Sequence, residues 1–213
     1  MTVIIADRAI AEQVLAARSA SGQDRWDEVW DGDYFMSPAP NNEHADIATQ
    51  LAAILTACVS WRNLGRVQQS CNVSDQPLDW TSNFRVPDVA VFLAGNPAED
   101  RETHWFGGPE LAIEIVSEED RTWKKIPFYA AVGTTELLIV DRDPWLLTLF
   151  RLRGTALHEV GRSQAADGQW VESAVVSLRW RLRGEPATPS IEVHDRVGNQ
   201  QWTIATRGRQ PRT

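Results

Sequence analysis

The stretch that decides the fold is Leu111–Ser117, which reads LAIEIVS. A glycine-rich turn precedes it and an acidic turn follows it. A short apolar run between two turns is typical of a strand. Glu114 interrupts the run, and a buried carboxylate costs free energy unless a cation or hydrogen-bond donors compensate it. Glu114 is therefore a candidate functional residue.

The residues after this strand predict a βαβ unit. A helix is predicted over 121–132, ended by Gly133, and an apolar strand over 136–141. Strand, helix and strand within about thirty residues are typical of a right-handed crossover between parallel strands. Residues 146–152 then predict a strand antiparallel to its predecessor, so the sheet is mixed.

The region before residue 65 predicts a hairpin and a long helix. Short strand-like runs flank Asp31-Gly32 within residues 26–36, a strong hairpin signal. A pair of asparagines then provides the cap of a helix over 43–62. His44 starts the apolar stripe of that helix, and its side chain is expected to point inward.

A second acid lies within apolar sequence in the predicted strand 84–92. Strand alternation places Asp88 on one face with Val86 and Ala90. Two strands that each carry one embedded acid predict a partner shared by Asp88 and Glu114. The alternative is that each acid is neutralised by one of the nineteen arginines.

These elements predict an α/β fold with a central mixed β-sheet flanked by helices and with additional C-terminal β-strands. The expected segments are an N-terminal helical segment (1–25), a core (26–152), a C-terminal β extension packed on the same domain (153–205) and a frayed basic tail (206–213). Further strands are predicted over 67–73, 155–160, 171–178 and 191–194.

Composition limits the function classes. The net charge of −8 argues against a protein that coats nucleic acid through bulk charge, although it does not exclude a nuclease. The sequence has no apolar run of about 18 residues, so no membrane span is expected. Residues 1–7 do not resemble the start of a signal peptide, which predicts a cytoplasmic protein. Cys58 and Cys71 are expected to be unpaired core residues.

The lysines are unusual in number and place. Of 21 basic residues only Lys124 and Lys125 are lysines. Arginine cannot replace lysine where a compact ammonium with an adjustable pKa is needed. Lys125 is expected to reach Glu114 from the helix that follows its strand, and Lys124 to face solvent.

These residues carry a family resemblance. VPDVAV (86–91) and LAIEIVS (111–117) resemble the core of the PD-(D/E)XK nucleases. More narrowly, the chain resembles the Uma-type putative restriction endonucleases over about residues 28–152. The narrower resemblance rests on EVWDGDY (28–34) with SPAP (37–40), His44, the run from Lys125 to Tyr129, Gly133, Glu136 and Asp141.

Several positions depart from the family pattern. Asp33 stands where the family has a hairpin glutamate, and Leu137 and Leu138 replace two aromatic residues. Val116 occupies the position of the superfamily's usual lysine, so the amine would come from Lys125.

The resemblance implies a restriction-endonuclease-like core and a Mg²⁺-dependent endonuclease that hydrolyses DNA. It implies that Asp88, Glu114 and the backbone carbonyl of Ile115 hold Mg²⁺, for which Mn²⁺ can substitute. Lys125 would orient or deprotonate the attacking water. Cutting both strands of a duplex favours a homodimer.

Other residues have secondary roles in this interpretation. Asp33 would hold a second metal or position Lys125, and His44 would donate to a phosphate or to one of the acids. Tyr129, Glu136 and Asp141 are expected to be structural.

Two other functions are compatible with parts of the sequence. The first is a catalytically decayed nuclease fold that acts as a DNA-binding or assembly module, which the lost aromatics and the shortened Asp33 favour. The second is a small-molecule metal hydrolase on an unrelated α/β fold. The second is disfavoured because the four histidines lie far apart and show no metal-ligand spacing.

Overall fold

The computed structural model describes residues 8–117 and 121–207. Its helices are α1 (Arg8–Ser21), α2 (Asn42–Leu55) and α3 (Ile126–Ala131). A π-helical turn (Thr56–Ser60) continues α2, and a 3-10 turn (Thr122–Lys125) leads into α3. Within these two ranges, none of the helices has the length and apolarity that crossing a membrane requires.

The strands of the described part of the chain fall into three sheets. In chain order they are β1 (Glu28–Trp30), β2 (Asp33–Phe35), β3 (Gly65–Gln69), β4 (Val73–Ser74), β5 (Phe84–Arg85), β6 (Val89–Leu93), β7 (Glu99–Asp100), β8 (Trp105–Phe106), β9 (Leu111–Ile115), β10 (Glu136–Arg142), β11 (Trp145–Arg153), β12 (Ala156–Ser163), β13 (Val171–Glu172), β14 (Leu178–Arg183), β15 (Ser190–Asp195) and β16 (Gln201–Ala205).

The central sheet has the strand order β12-β11-β10-β9-β6-β3. β9 and β10 are parallel and are connected through α3, whereas the other neighbouring pairs are antiparallel. The predicted α/β fold with a central mixed sheet is therefore confirmed. The sheet continues beyond residue 152, because β12 pairs with β11.

Two smaller sheets complete the fold. The first has the order β2-β1-β5-β4-β8-β7 and consists of strands of two or three residues. It begins with the β1–β2 hairpin, which was predicted from Asp31-Gly32. The second, which we call the C-terminal sheet, is the antiparallel array β13-β14-β15-β16.

The core lies on both faces of the central sheet because its strands alternate. Ile113 and Ile115 belong to a cluster with α2 and the inner face of the C-terminal sheet. Ala112 belongs to a second cluster on the other face, with α3 and the small sheet. The central strands are thus covered on both sides, which explains why their sequences are apolar almost throughout.

The predicted strand 84–92 is wrong as a single element. β5 pairs in the small sheet and β6 pairs in the central sheet, and the chain breaks between them at Pro87. Proline has no N–H to donate to a ladder, although its carbonyl accepts a bond of 3.2 Å from the Ser70 N–H. Asp88 therefore lies directly before β6 and not in the middle of a strand.

The C-terminal predictions need similar corrections. The predicted strand 171–178 is two strands, β13 and β14, separated by a turn, and β16 was not predicted. Of the expected tail, residues 208–213 lie outside the described residues, as do the residues 1–7 on which the signal-peptide prediction rests. Arg207 is described, and its guanidinium binds Asp46 at 2.5 Å.

Candidate active site

Strand β9 delivers Glu114 into the interior, where its side chain is 3% exposed. Both carboxylate oxygens lie 3.1 Å from Nζ of Lys125, and the Tyr129 hydroxyl donates to Oε1 at 2.5 Å. Burial raises the pKa of Glu114, an effect that Lys125 opposes. The neighbouring charges of Asp88 and Glu28 add to the rise. Glu114 therefore lies in a buried site with more acids than amines.

Asp88 lies opposite Glu114 across the β6–β9 pair. Val89 pairs with Ile113 and Ala90 with Ala112, so the next step of this antiparallel register sets residue 88 against residue 114. Directly opposed residues of antiparallel strands project to the same face. The Asp88 carboxylate also accepts a 2.7 Å hydrogen bond from the Ile115 N–H. The structure thus brings the two sequence-predicted acids together.

Lys125 ends the 3-10 turn before α3 and turns inward, with 7% exposure. Its ammonium contacts Glu114 and also lies 2.8 Å from Oε1 of Glu28. The adjacent Lys124 is exposed, as expected. The helix predicted over 121–132 therefore starts with a tighter turn, and this turn directs one of the two lysines into the site.

Glu28 is the residue that the sequence interpretation missed. It is 4% exposed, and besides Lys125 it accepts hydrogen bonds of 2.9 Å from the Val86 N–H and the Trp30 indole. The signal was available, because Glu28 is the first acid of the EVWDGDY segment and shares a strand face with Trp30.

Asp33 is the acid on the second strand of the hairpin. It lies exposed on the outer strand of the hairpin, paired with Trp30 across the ladder. The acid of this hairpin that contacts Lys125 is Glu28 on the inner strand, and the roles predicted for Asp33 stay predictions.

Tyr129 was expected to be structural, but it belongs to the site. Burial, followed by the charge of Glu114, raises the pKa of Tyr129 well above its usual value, so the phenol remains a donor to that carboxylate. The four-residue spacing between Lys125 and Tyr129, which places two side chains on one helix face, was the sequence signal.

His44 connects α2 to the two acid-bearing strands. Its backbone N–H donates to the Asn41 side chain, which caps the helix. One ring nitrogen, Nε2, lies 2.7 Å from Oδ1 of Asp88, and the other, Nδ1, lies 2.9 Å from the Ser117 hydroxyl. The imidazole points inward, as the apolar stripe predicts, and it contacts a carboxylate.

Glu136 and Asp141 lie outside this cluster. Glu136 binds the Arg151 guanidinium at 2.6 Å and accepts from the Ser173 hydroxyl at 2.5 Å. Asp141 accepts from the Asp143 N–H at 3.0 Å and so stabilises the turn after β10.

The donor set fits a hard divalent cation. Two carboxylates, Glu28 and Glu114, share the Lys125 ammonium, and a third, Asp88, lies near Glu114. Carboxylate oxygens are the ligands that Mg²⁺ prefers. Among residues 8–117 and 121–207, no three His, Cys, Asp or Glu side chains converge as a complete metal centre. A further ligand would therefore come from the main chain. The Ile115 N–H points at Asp88, and the carbonyl of a strand residue lies along the same edge as its N–H.

Comparison with known proteins shows the fold and the family of the chain. A crystal structure of a putative nuclease belonging to DUF820 from Anabaena variabilis ATCC 29413 is similar to this chain, with a TM-score of 0.57. The two are 19% identical, and the match covers 69% of this chain and 80% of that one. This likeness confirms the predicted restriction-endonuclease-like fold. No curated protein matches the chain. A family model described as Uma2, putative restriction endonuclease, matches residues 12–204, and the chain therefore belongs to the Uma2 family.

Proposed function

We propose that this protein is a metal-dependent endonuclease that hydrolyses phosphodiester bonds in DNA. The observation that carries the proposal is the opposition of Asp88 and Glu114 across β6 and β9, with the Lys125 ammonium 3.1 Å from Glu114. Two acids and an amine in one buried cluster provide metal ligands and a group that can handle a proton.

The residues that would hold Mg²⁺, or Mn²⁺ in its place, are Asp88, Glu114 and the backbone carbonyl of Ile115. The cation would supply activation of water and neutralisation of phosphate charge. The raised pKa of the buried Glu114 supports this assignment, because a carboxylate in such surroundings is stabilised by an added positive charge.

Side chains around the proposed metal ligands would position the water and the ligands. Lys125 lies beside Glu114 and would orient the attacking water as an ammonium, or accept its proton after passing its own proton to a neighbouring carboxylate. Glu28 also holds the Lys125 ammonium, at 2.8 Å. Tyr129 fixes one oxygen of Glu114, and His44 fixes one oxygen of Asp88, so neither acid is free to rotate away.

A homodimer is part of the proposal, since two copies related by a two-fold axis would present one site to each strand of a duplex. Its measurement is the mass of the protein in solution, with and without a DNA duplex. A monomer in both conditions would argue for a nicking enzyme that cuts one strand at a time.

A second candidate function is a non-catalytic DNA-binding or assembly module. One observation favours it: the acids of the site already have partners within the protein. Lys125 contacts both Glu28 and Glu114, and both oxygens of Asp88 take part in hydrogen bonds. The assay that separates the two functions is nicking of a supercoiled plasmid.

We expect nicking with Mg²⁺ or Mn²⁺ and none with EDTA. Glu114→Gln keeps the size of the side chain and removes its charge, so it should abolish nicking while the protein stays folded by circular dichroism. The absence of nicking with every divalent metal tried would contradict the endonuclease and support the module.

A further inference from the structure

The outer face of the C-terminal sheet carries a row of arginines. Leu178, Trp180 and Leu182 of β14 are fully buried, so the residues between them face outward. These outward residues are Arg179, Arg181 and Arg183, whose side chains are 28%, 23% and 60% exposed.

An aromatic ring and two acids hold this row in place. The guanidinium carbons of Arg179 and Arg181 each lie 4.3 Å from the ring centroid of Trp170. Glu192 accepts from Arg181 at 2.7 Å and lies 3.9 Å from Arg183.

Positive charge exceeds negative charge on this face. Glu172 lies 3.5 Å from Arg179, and it lies at the same distance from a fourth arginine, Arg196. Two acids therefore face four arginines, in a chain whose net charge is −8. A local excess of this sign attracts a polyanion.

The spacing of the row suits a nucleic-acid backbone. Alternate residues of a strand lie roughly 6.6–6.8 Å apart, since the rise is about 3.3–3.4 Å per residue. One strand of B-DNA carries a charge about every 3.4 Å along the helix axis, so guanidinium groups at this spacing can each lie near a different phosphate.

The row also ends on the side of the molecule where the candidate active site lies. Arg183 pairs with Ser190 and Ser190 with Ala205, so these residues form one end of the C-terminal sheet. The chain then reaches the first turn of α2, where the Arg207 N–H donates to Glu43 at 2.7 Å. His44, next to Glu43, hydrogen-bonds Asp88.

We propose that the row Arg179, Arg181 and Arg183 binds the phosphate backbone of duplex DNA and guides it toward the site at Asp88 and Glu114. This proposal rests on the proposed function for its choice of DNA as the polyanion. Trp170 holds Arg179 and Arg181 in place, and Arg183, the most exposed of the three, makes the contact nearest the active site.

The test measures binding of a short fluorescein-labelled DNA duplex to the full chain by anisotropy, in EDTA so that no hydrolysis occurs. Arg183→Gln should weaken binding several-fold and reduce the slope of log K against log salt by about 0.9, the value for one lost phosphate contact. Arg179→Gln combined with Arg183→Gln should reduce the slope by about 1.8.

Arg66→Gln is the matched control. Arg66 is similarly exposed, at 65%, and is paired with Asp100, but it lies on β3 next to Phe92, away from the row. Its substitution should leave binding unchanged. The proposal is overturned if the parent chain does not bind the duplex, or if Arg183→Gln and Arg66→Gln have equal effects.

Plasmid nicking in Mg²⁺, measured in parallel, separates this proposal from the proposed function. If the parent nicks the plasmid and Arg183→Gln does not change binding, the role of the arginine row is contradicted and the endonuclease is not. If binding depends on Arg183 but no metal supports nicking, the role of the arginine row is supported and the proposed endonuclease activity is contradicted.

Discussion

Glu114 and Asp195 are two carboxylates that the fold buries to nearly the same extent, at 3% and 0% exposure. Their pKa values move in opposite directions. Burial alone would raise the pKa of Asp195, but hydrogen bonds from Ser177, from Arg62 and from backbone N–H groups lower it to about 2. Burial raises the pKa of Glu114, and the neighbouring acids raise it further.

The difference shows that the surroundings, and not burial itself, separate a structural acid from a candidate catalytic one. Asp195 receives donors at 2.6 Å from Ser177 and at 2.5 Å from Arg62, so its charge stabilises the fold. Glu114 shares a single ammonium with Glu28 and lies near Asp88, so its charge is poorly compensated. Such an arrangement opposes folding and is typical of a site that binds a cation or transfers a proton.

After the proposed metal-binding acids themselves, the largest effect on nicking is expected from the amine that contacts Glu28 and Glu114. Lys125→Met keeps the length of the side chain and removes its charge, so nicking should fall by about 10²–10⁴-fold, the range for loss of a proton-transferring group. Lys124→Met is the matched control, because Lys124 is adjacent and exposed, and it should nick like the parent. Equal nicking rates for the two variants would contradict a role of Lys125 in the reaction.

The next effect concerns the acid that the sequence interpretation overlooked. Glu28→Gln weakens the 2.8 Å contact that holds Lys125, and nicking should fall by about 100-fold, the upper end for residues that orient a site. Asp33→Asn, in the same hairpin, should have no effect because Asp33 is exposed. A larger loss of nicking in Asp33→Asn than in Glu28→Gln would show that Asp33, and not Glu28, is the acid that positions Lys125.

Much of the fold could be predicted because its long elements carry clear patterns. β9 reads as a buried strand, α2 has a helical stripe and the hairpin has Asp31-Gly32 at its turn. The small sheet could not be predicted in the same way, since strands of two residues, such as β4 and β8, have no measurable periodicity. The break between β5 and β6 was visible as Pro87, whose missing N–H is incompatible with an interior strand position.

The site was predictable where one acid stood out against apolar neighbours. Asp88 and Glu114 have that signal, and the scarcity of lysine pointed to Lys125. Glu28 and Tyr129 were harder, because their roles arise from contacts between distant segments: Glu28 meets a lysine that lies 97 positions later in the chain. The choice between Glu28 and Asp33 depended on which strand of the hairpin faces inward, and β1 does because it pairs with β5.

A smaller effect is expected from His44, which orients Asp88 without being in the acidic cluster itself. His44→Ala removes the 2.7 Å contact to Oδ1, so nicking should fall by about 10-fold and the Mg²⁺ concentration for half-maximal rate should rise. His158→Ala, at an exposed histidine on β12, is the control and should change neither quantity. A loss of rate without a change in the Mg²⁺ requirement would contradict a role through Asp88.

The smallest effect on nicking is expected at Asp195, the other member of the comparison. The side chain lies beside Arg62, which follows the end of the helical continuation of α2 at Ser60. Ser60 is about 24 Å along the helix from His44, at a rise of about 1.5 Å per residue. Asp195→Asn should therefore leave the nicking rate of the folded protein unchanged. It should lower the free energy of unfolding at neutral pH by about 2 kcal/mol, from a pKa shift of nearly two units.

The pH dependence of this loss tests its cause. The folded pKa of Asp195, about 2, is lower than the ordinary value of 3.8, so its contribution is complete above about pH 4 and disappears as the pH falls toward 2. Urea unfolding of the parent and of Asp195→Asn should give free energies that differ at pH 7 and converge below pH 3. A constant difference across this range would show that Asp195 stabilises the protein through packing and not through its charge, and the contrast with Glu114 would then no longer be one of electrostatics.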